Sequence, residues 1–502
     1  MSCAVLSATL VGVQAHPVTV EVDLVRRLPK TTVVGLPMGA VRESTERVRS
    51  AILGSGLEYP KLRVTINLAP ADIRKEGTGF DLPIALAILL ASGQLPQPEQ
   101  RALFLGELSL GGKLRPVPGA LALAMLAAEL DISTVVVPRG CGAQAAVVPG
   151  VVALEAEDLE EVVRHLRGEA HLQRAAPSPL SRSHSYPDMV DVRGQEVARR
   201  ALEIAAAGGH NLLMVGPPGV GKTMLAARLP GILPQMSFQE GLEATRVHSV
   251  AGLLAPGQAL LEQRPFRAPH HSITAAGLVG NARLRPGEVS LAHHGVLFLD
   301  EIPEFSRHVL ELLRAPLESH RVTLSRASGT AILPADLMLV AAANPCPCGF
   351  YGHATRPCRC SETDRRRYQG RLSGPLLDRI DLYVPVESLD SEQLYATAQR
   401  ESSQVVRERV EGARDRQRDR ARALGASCNA RLSGPQIRKL AKLDDAAASV
   451  LRDAVDRLGL SGRAHDRVLK VARTIADLDG GHHVRIPHIA EALAYRRPEV
   501  EA

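Results

Sequence analysis

The residues 211–230, "NLLMVGPPGVGKTMLAARLP", place Gly216, Pro217, Pro218, Gly219, Val220, Gly221, Lys222 and Thr223 in the order G-x-x-x-x-G-K-T. An apolar strand pattern precedes them and a helical pattern follows, which separates the run from a chance glycine-rich turn. Glycines let successive backbone N–H groups wrap phosphates, and the helix N-terminus adds partial positive charge. At this spacing Lys222 reaches β- and γ-phosphates and Thr223 offers a hydroxyl to Mg²⁺. The chemistry implied is binding of a nucleoside triphosphate.

A second set fits the first. "GVLFLDEIPE" is an apolar strand ending in two acids, and a parallel sheet presents its reactive groups at that carboxyl edge. Asp300 suits the Mg²⁺ shell, and Glu301 suits orientation or activation of an attacking water. A third apolar strand ends at Asn344, whose amide can position that water, although an asparagine before Pro345 is also an ordinary turn residue. Arg379, in "SGPLLDRIDL", and Arg463, at the start of a helical pattern, have two readings. Each either pairs locally with Asp378, Asp381 or Asp466, or is supplied to another subunit's γ-phosphate, a contribution of about 10³ to 10⁵ in rate.

Cys346, Cys348, Cys358 and Cys360 form two C-x-C pairs in a loop rich in Gly, Pro and Arg. Four soft thiolates suit tetrahedral, structural Zn²⁺. Reduced free thiols and a redox-labile disulfide are the alternatives. Cys3, Cys141 and Cys428 are isolated and receive no role. Two histidine doublets, His270-His271 and His293-His294, invite a metal reading, but adjacent residues of an extended chain face opposite ways, so hydrogen bonding or anion contact is expected instead.

These groups need elements to hold them. The chain has 502 residues, 45% hydrophobic and 23% charged, which exceeds what one core serves and excludes general disorder. Residues 1–167 read as mixed α/β, with strands near 18–25 and 62–68 and buried helices at 81–91 and 119–130. Residues 168–187 lack periodicity and are rich in Ser, Pro and Ala, as an exposed linker is. Helix and strand alternate over 188–388, the pattern of a parallel α/β layer. From 389 to 502 the pattern is helical: a charged helix at 400–422, then Ile437, Leu440, Leu443, then Leu451, Val455, Leu458, then Val468, Val471, Ile475. The longest apolar run, 82–91, is half of the ~20 residues a membrane span needs, and the N-terminus lacks a basic, apolar, cleavable leader, so a cytoplasmic protein without membrane contact is expected. Seven cysteines in this length do not make a secreted disulfide scaffold.

Taken together, the P-loop, the Asp-Glu strand, the asparagine strand end, "LLDRIDL" and the terminal helices resemble AAA+ ATPases. More narrowly, "FRAPHHSITAAGLVGN", "PGEVSLAHHGVLFLDEIPEF", "NPCPCGFYGH" and "VARTIADLDG" resemble the magnesium-chelatase-like ComM/YifB family. The resemblance covers nearly the whole chain. It implies a P-loop AAA+ α/β domain with a parallel sheet and a C-terminal helical lid. It implies ATP and Mg²⁺ as ligands, Asp300 and Glu301 as the Walker B acids, Asn344 as sensor 1, Arg379 as arginine finger, Arg463 as sensor 2, and a homo-hexameric ring. The family's competence member is a DNA helicase that promotes branch migration, which makes single-stranded or branched DNA and recombination proteins the expected partners. A motor inserting magnesium into a porphyrin and an ATP-driven protein-remodelling factor are the rival readings.

The first 167 residues resemble the Lon-protease-type domain, with its ribosomal S5-like α/β fold, through "RKEGTGFDLPIALAIL" and "GELSLGGKLRPVPGALALAMLAA". Gly79 stands where the protease has its serine and Leu121 where it has its lysine, so neither nucleophile nor base is present and no peptidase activity is expected. In the AAA+ branch resembled, an insertion and a hairpin line the ring's pore. Here the insertion carries Arg264, Arg267, His270, His271, Arg283 and Arg285, and the hairpin Arg321 and Arg326. These side chains can track a phosphate backbone. Arg326 or Arg267 can instead bind an acid across a subunit boundary. Arg365 to Arg367 and the charged helix read as solvated faces. With no Trp and 3% aromatic residues, base-stacking platforms are not expected, so a DNA grip would be salt-sensitive and indifferent to sequence.

Overall fold

The computed structural model describes residues 3–98, 100–177, 186–255, 257–326, 329–353, 355–390 and 400–496. The later part of the expected linker and the expected lid residues 391–399 and 497–502 lie outside the described residues.

Period-two alternation builds the first sheet. Strand Arg63–Ala69 buries Val64, Ile66 and Leu68, and strand Gln14–Val25 answers with Val22 and Val20 in register opposite Ile66 and Leu68. The eight strands run in the order Gln173–Arg174, Val152–Ala156, Thr134–Pro138, Ala102–Phe104, Cys3–Val11, Gln14–Val25, Arg63–Ala69, Lys30–Val34. Helices Gly39–Gly54 and Asp81–Ala91 cover one face, and Ala120–Glu129 covers the other. The helix Asp81–Ala91 is apolar on every side, and all of it except Ala91 is buried, as a helix pressed between a sheet and a second helix must be. Gln173 and Arg174 differ from the expected linker: they pair antiparallel with Glu155 and Leu154 as an edge strand. Two exposed edge residues leave no alternation to read.

The second sheet has five strands, all parallel, in the order Phe266–Arg267, Val296–Leu299, Met338–Ala343, Leu212–Val215, Leu382–Pro385. Leu212, Met214, Val340 and Ala342 face helix Glu196–Gly208 and the terminal helices, while Leu213, Leu339 and Ala341 face helix Phe238–Ala251 and the hairpin Arg321–Arg326/Gly329–Pro334. The helices Ser403–Ala421, Gly434–Leu440, Asp445–Arg457, Gly462–Leu478 and Ile486–Ala494 therefore share one core with the sheet. A buried polar network ties them to it: His210 Nε2 lies 2.9 Å from Thr474 Oγ1, and Asn429 Nδ2 donates to Thr474 Oγ1 at 3.0 Å and to Asp477 at 2.9 Å. Arg473, 1% exposed, donates to Asp477 and to the carbonyls of Ala441 and His482. Leu458 departs from the expected buried stripe: the helix ends at Arg457, and Leu458 is 44% exposed.

The two units meet at a turn, and also where Leu242 and Ser249 of helix Phe238–Ala251 meet the core around helix Ala120–Glu129 and Gln144. Strands Cys3–Val11 and Gln14–Val25 are joined by Gly12 and Val13, and Val13, 1% exposed, enters the core formed by Leu284, Val322, Leu324, Ala331 and Leu333. A Cβ on Gly12, whose φ is +63°, would lie 2.9 Å from both Ala331 Cβ and Leu333 Cδ2, so this position takes no side chain.

Candidate active site at the carboxyl edge of the parallel sheet

Each P-loop residue is placed by the strand before it. Gly216 follows Leu212–Val215, and a Cβ there would sit 2.0 Å from the carbonyl oxygen of Val386, so glycine is compulsory. Gly221, with φ +91°, opens the helix Lys222–Ala226. The Lys222 ammonium folds into the loop, donating to the carbonyls of Gly216 at 2.6 Å and Pro217 at 2.8 Å and to Asn344 Oδ1 at 3.1 Å. Burial pulls its pKa down, against the opposing pull of Asp300 and Glu301. Thr223 Oγ1 donates to Asp300 Oδ2 at 2.6 Å. Glu301 is exposed beside them at φ +49°, and its N–H donates to Asp300 Oδ1 at 3.0 Å. Lys222, Thr223, Asp300, Glu301 and Asn344 thus converge at the ends of three neighbouring parallel strands.

The motif reading missed the residues that brace this edge. Tyr368, on the helix Glu362–Gln369, is buried with its phenol pushed up to about 12, chiefly by desolvation, and it accepts a hydrogen bond from the Asn344 N–H. Arg371 donates to the Pro303 carbonyl at 3.1 Å and to Glu304 at 2.9 Å, pinning the turn after Glu301. An aromatic and an arginine in a polar stretch gave no periodic signal.

Arg379 and Arg463 are not brought to this site. Arg379 lies at the opposite, amino edge of the sheet, where Asn211 Nδ2, just before strand Leu212–Val215, donates to its carbonyl at 2.8 Å. The strand's four residues put roughly 13 Å between the two edges. The Arg379 guanidinium pairs with Glu318 and donates to the carbonyls of Arg314 at 3.0 Å and Pro375 at 2.6 Å. Its partner is therefore none of the three acids expected. Asp378 is taken by Arg467, Asp381 by His210, and Asp466 by Arg438. Arg463 is exposed in the first turn of helix Gly462–Leu478, capped by Ser461, on the same side as Arg379.

The four cysteines of the loop come together. Cys346 Sγ lies 3.4 Å from Cys348 Sγ and 3.6 Å from Cys358 Sγ, Cys348 and Cys358 are 3.6 Å apart, and all four sulfurs fall within 4.8 Å of one another. A tetrahedron of Zn–S bonds has edges of about 3.8 Å, so the donor set fits Zn²⁺, and no disulfide joins these sulfurs. Backbone N–H groups of Phe350 and Arg359 draw the Cys348 thiol down to about 6. The loop also leans on the nucleotide site: a Cβ on Gly349 would lie 2.6 Å from Pro218 Cδ.

The expectation that histidine doublets face apart is corrected. His294 has φ +59°, which turns both rings of the second doublet to one side, 3.8 Å apart, with His294 Nε2 2.8 Å and His293 Nε2 3.5 Å from Glu243 Oε2. The hydrogen bonding expected of this doublet is what the rings make. His293 Nδ1 accepts the Asp336 N–H at 3.1 Å, so the neutral ring carries its proton on Nε2 and gives it to Glu243.

Of the basic insertion residues, Arg264 is bound to Glu240 and the Pro234 and His294 carbonyls, and Arg267 makes a two-pronged pair with Glu288 of its own chain at 2.6 and 2.8 Å. Arg264 is 14% exposed and Arg267 31%, and the acid that Arg267 meets is in its own chain. Arg283, Arg285, Arg321 and Arg326 are exposed. In the first unit, Leu121 is fully buried in the core, and a Cβ on Gly79 would lie 2.6 Å from Leu105 Cδ1. Among the described residues no helix is long and apolar enough to cross a membrane.

Comparison with known proteins agrees with this architecture. Residues 188–394 match the family model "Magnesium chelatase, subunit ChlI", residues 20–140 match "Subunit ChlI of Mg-chelatase", and residues 400–496 match "Magnesium chelatase, subunit ChlI C-terminal". The chain is 45% identical to the protein YifB of Escherichia coli, over 97% of this chain and 95% of that one. It is 45% identical to "Competence protein ComM" of Haemophilus influenzae, over 99% and 98% of the two chains. It is also 29% identical to "Lon protease 2" of Bacillus subtilis, over 45% and 46%. Full-length identity at this level, three consecutive matching segments and the converged P-loop edge place the chain in the ComM/YifB family of magnesium-chelatase-like AAA+ ATPases.

Proposed function

We propose that the protein is a Mg²⁺-dependent ATPase that assembles as a homo-hexameric ring in the cytoplasm and moves DNA, as translocation or branch migration in recombination or natural transformation. The observation that carries the ATPase reading is the convergence of Lys222, Thr223, Asp300 and Asn344 at one sheet edge, with Glu301 exposed beside them. Lys222 exchanges its loop carbonyls for the β- and γ-phosphates, and the P-loop N–H groups hold the rest of the chain of phosphates. Thr223 and Asp300 would hold Mg²⁺, which would supply positive charge against the phosphates. Glu301, with Asn344, orients the attacking water and draws a proton from it. Arg379 and Arg463, roughly a sheet's width away, serve the nucleotide of a neighbouring subunit.

The DNA reading rests on the exposed Arg283, Arg285, Arg321 and Arg326 of the insertion and hairpin, and on the printed name of the competence relative. The functional units are then 1–167, Lon-like without its catalytic pair, a linker 168–187, the ATPase domain 188–388 and the lid 389–502, with Cys346, Cys348, Cys358 and Cys360 holding structural Zn²⁺. Recombination proteins are the expected company. Lys222→Ala abolishes nucleotide binding, whereas Glu301→Gln binds ATP without turnover; wild-type turnover in either sinks the site assignment. ATPase stimulation by single-stranded or branched DNA supports the motor reading. Stimulation by a porphyrin or by unfolded protein alone, with no DNA binding at low salt, replaces it with the chelatase or remodelling reading. Casein cleavage by purified Lys222→Ala protein would contradict the loss of peptidase chemistry.

A further inference from the structure

Arg463 and Arg467 stand four residues apart on helix Gly462–Leu478, so they share a face, with about 6 Å of rise between them. Arg463 points to solvent, while Arg467 folds onto the loop that carries Arg379. One Arg467 terminal nitrogen donates to the carbonyls of Ile380 at 3.1 Å and Leu377 at 3.4 Å, and the other pairs with Asp378 at 3.2 Å. These three partners flank Arg379 in sequence, and Asn211 fixes the Arg379 carbonyl from the other side.

Close packing does not set the distance between helix and loop here. A cavity of about 560 Å³ lies between them, lined by Asp378, Asp381, Tyr383, Ser461, Ala464 and Arg467. A gap of that size leaves few van der Waals contacts to hold two elements in register. A planar guanidinium that spans two carbonyls and a carboxylate does so with a fixed fork, which a lysine's single ammonium cannot reproduce.

We propose that Arg467 is a positioning residue: a strut that holds Arg379 and Arg463 at one spacing, so that both meet the neighbouring subunit's nucleotide as a preset pair. The proposal rests on the reading that these two arginines act in trans. Its site is remote from the chain's own P-loop, and that remoteness makes it testable.

Full-length Arg467→Ala and Arg467→Lys are compared with Arg379→Ala and Lys222→Ala. The expected Arg467→Ala protein binds a fluorescent ATP analogue as tightly as wild type and loses at least tenfold in kcat. Arg467→Lys recovers only part of that loss. Mixing Arg467→Ala with Lys222→Ala subunits restores turnover, because each supplies the face the other lacks, whereas mixing it with Arg379→Ala restores none. Hydrogen exchange, which needs no turnover, reads the strut directly: the 376–381 amides and the first turn after Ser461 exchange at least tenfold faster in Arg467→Ala, with the melting temperature of the whole chain retained. Wild-type kcat with unchanged exchange in Arg467→Ala overturns the proposal. So does a defect that Lys222→Ala subunits fail to rescue when they do rescue Arg379→Ala. If Arg379→Ala is itself not rescued, the trans reading fails, and the exchange data then decide the strut alone.

Discussion

Val13 is one of the places where the first unit holds the second, and its replacement by aspartate tests whether that contact carries energy. The side chain is 1% exposed within a cluster of hairpin and insertion residues, and complete burial of a valine contributes about 2 kcal/mol. Val13→Ala gives up roughly half of this, about 1 kcal/mol. Val13→Asp loses all of it and sets a carboxylate against Leu284, Leu324 and Leu333, so the turn leaves the hairpin rather than accept an unpaired buried charge. Two consequences follow for the hairpin Arg321–Arg326/Gly329–Pro334. Its amides exchange about 30-fold faster in the aspartate variant and about five-fold faster in the alanine variant, from the same free energies. The thermal transition of the coupled chain broadens, since only the contact through helix Phe238–Ala251 still joins the units. Hydrogen exchange by mass spectrometry with differential scanning calorimetry measures both. Unchanged hairpin exchange and an unbroadened transition in Val13→Asp would refute the claim that this turn helps couple the units. Nucleotide binding serves as the control, since the P-loop follows strand Leu212–Val215 and closes on Val386, Asn344 and Gly349 rather than on the hairpin.

The remaining expectations concern the thiolate loop and one histidine. One zinc per subunit accompanies the purified protein, and Cys358→Ser loses it together with much of kcat, because Cys346 follows Asn344 by two residues and Gly349 rests on Pro218; metal analysis showing full zinc in the variant, or none in the wild type, would count against the site. His320, with its pKa lowered from 6.5 to about 4, mainly by burial and then by Arg431, is neutral when folded. The unfolded chain therefore takes up the proton first as pH falls. The stability is fully present above pH 6.5 and is lost progressively down to pH 4. The full shift corresponds to about 3 kcal/mol, reduced to about 1–2 kcal/mol because a third of the side chain is in solvent. His320→Gln flattens that part of the stability–pH curve in denaturant titrations, and a parallel curve for the variant would reject the assignment.

The phosphate cradle was legible because its residue types sit at a fixed short spacing: Gly221 answers to a φ of +91° and Gly216 to a carbonyl that crowds its Cα, and the strand before them announces itself by an apolar run. Partnerships across the sequence were not legible. Arg267 meets Glu288 twenty-one residues on, and Arg379 meets Glu318 sixty-one residues back, neither separation carrying a periodic signature. The histidine doublet was misread for a conformational reason. The extended-chain rule holds for strands, and His294 at φ +59° is in a turn closed by the Gly295 N–H on the Ala292 carbonyl, with the His294 N–H donating to the Asp336 carbonyl. The edge pair Gln173 and Arg174 escaped because two residues cannot display a period.

The split between the two sheet edges makes a stronger demand than any single residue does. On the proposed trans reading, Lys222, Thr223, Asp300 and Asn344 serve the subunit's own nucleotide at the carboxyl edge, whereas Arg463, exposed, and Arg379, held by Glu318, serve a neighbour's from near the amino edge, so a lone subunit would hold two halves of different sites. Turnover per subunit is then a property of assembly. Diluting the enzyme at saturating ATP lowers specific activity in step with loss of the oligomer, while ATP binding to Lys222 persists in the dissociated chain. An arginine donated in trans contributes about 10³ or more in rate, so the dissociated subunit retains about a thousandth of the ring's activity or less. Static light scattering and steady-state turnover on the same dilution series compare the two directly. Specific activity that stays constant to concentrations where only single subunits scatter would show that the chain completes its own site, and both arginines would return to being local structural charges.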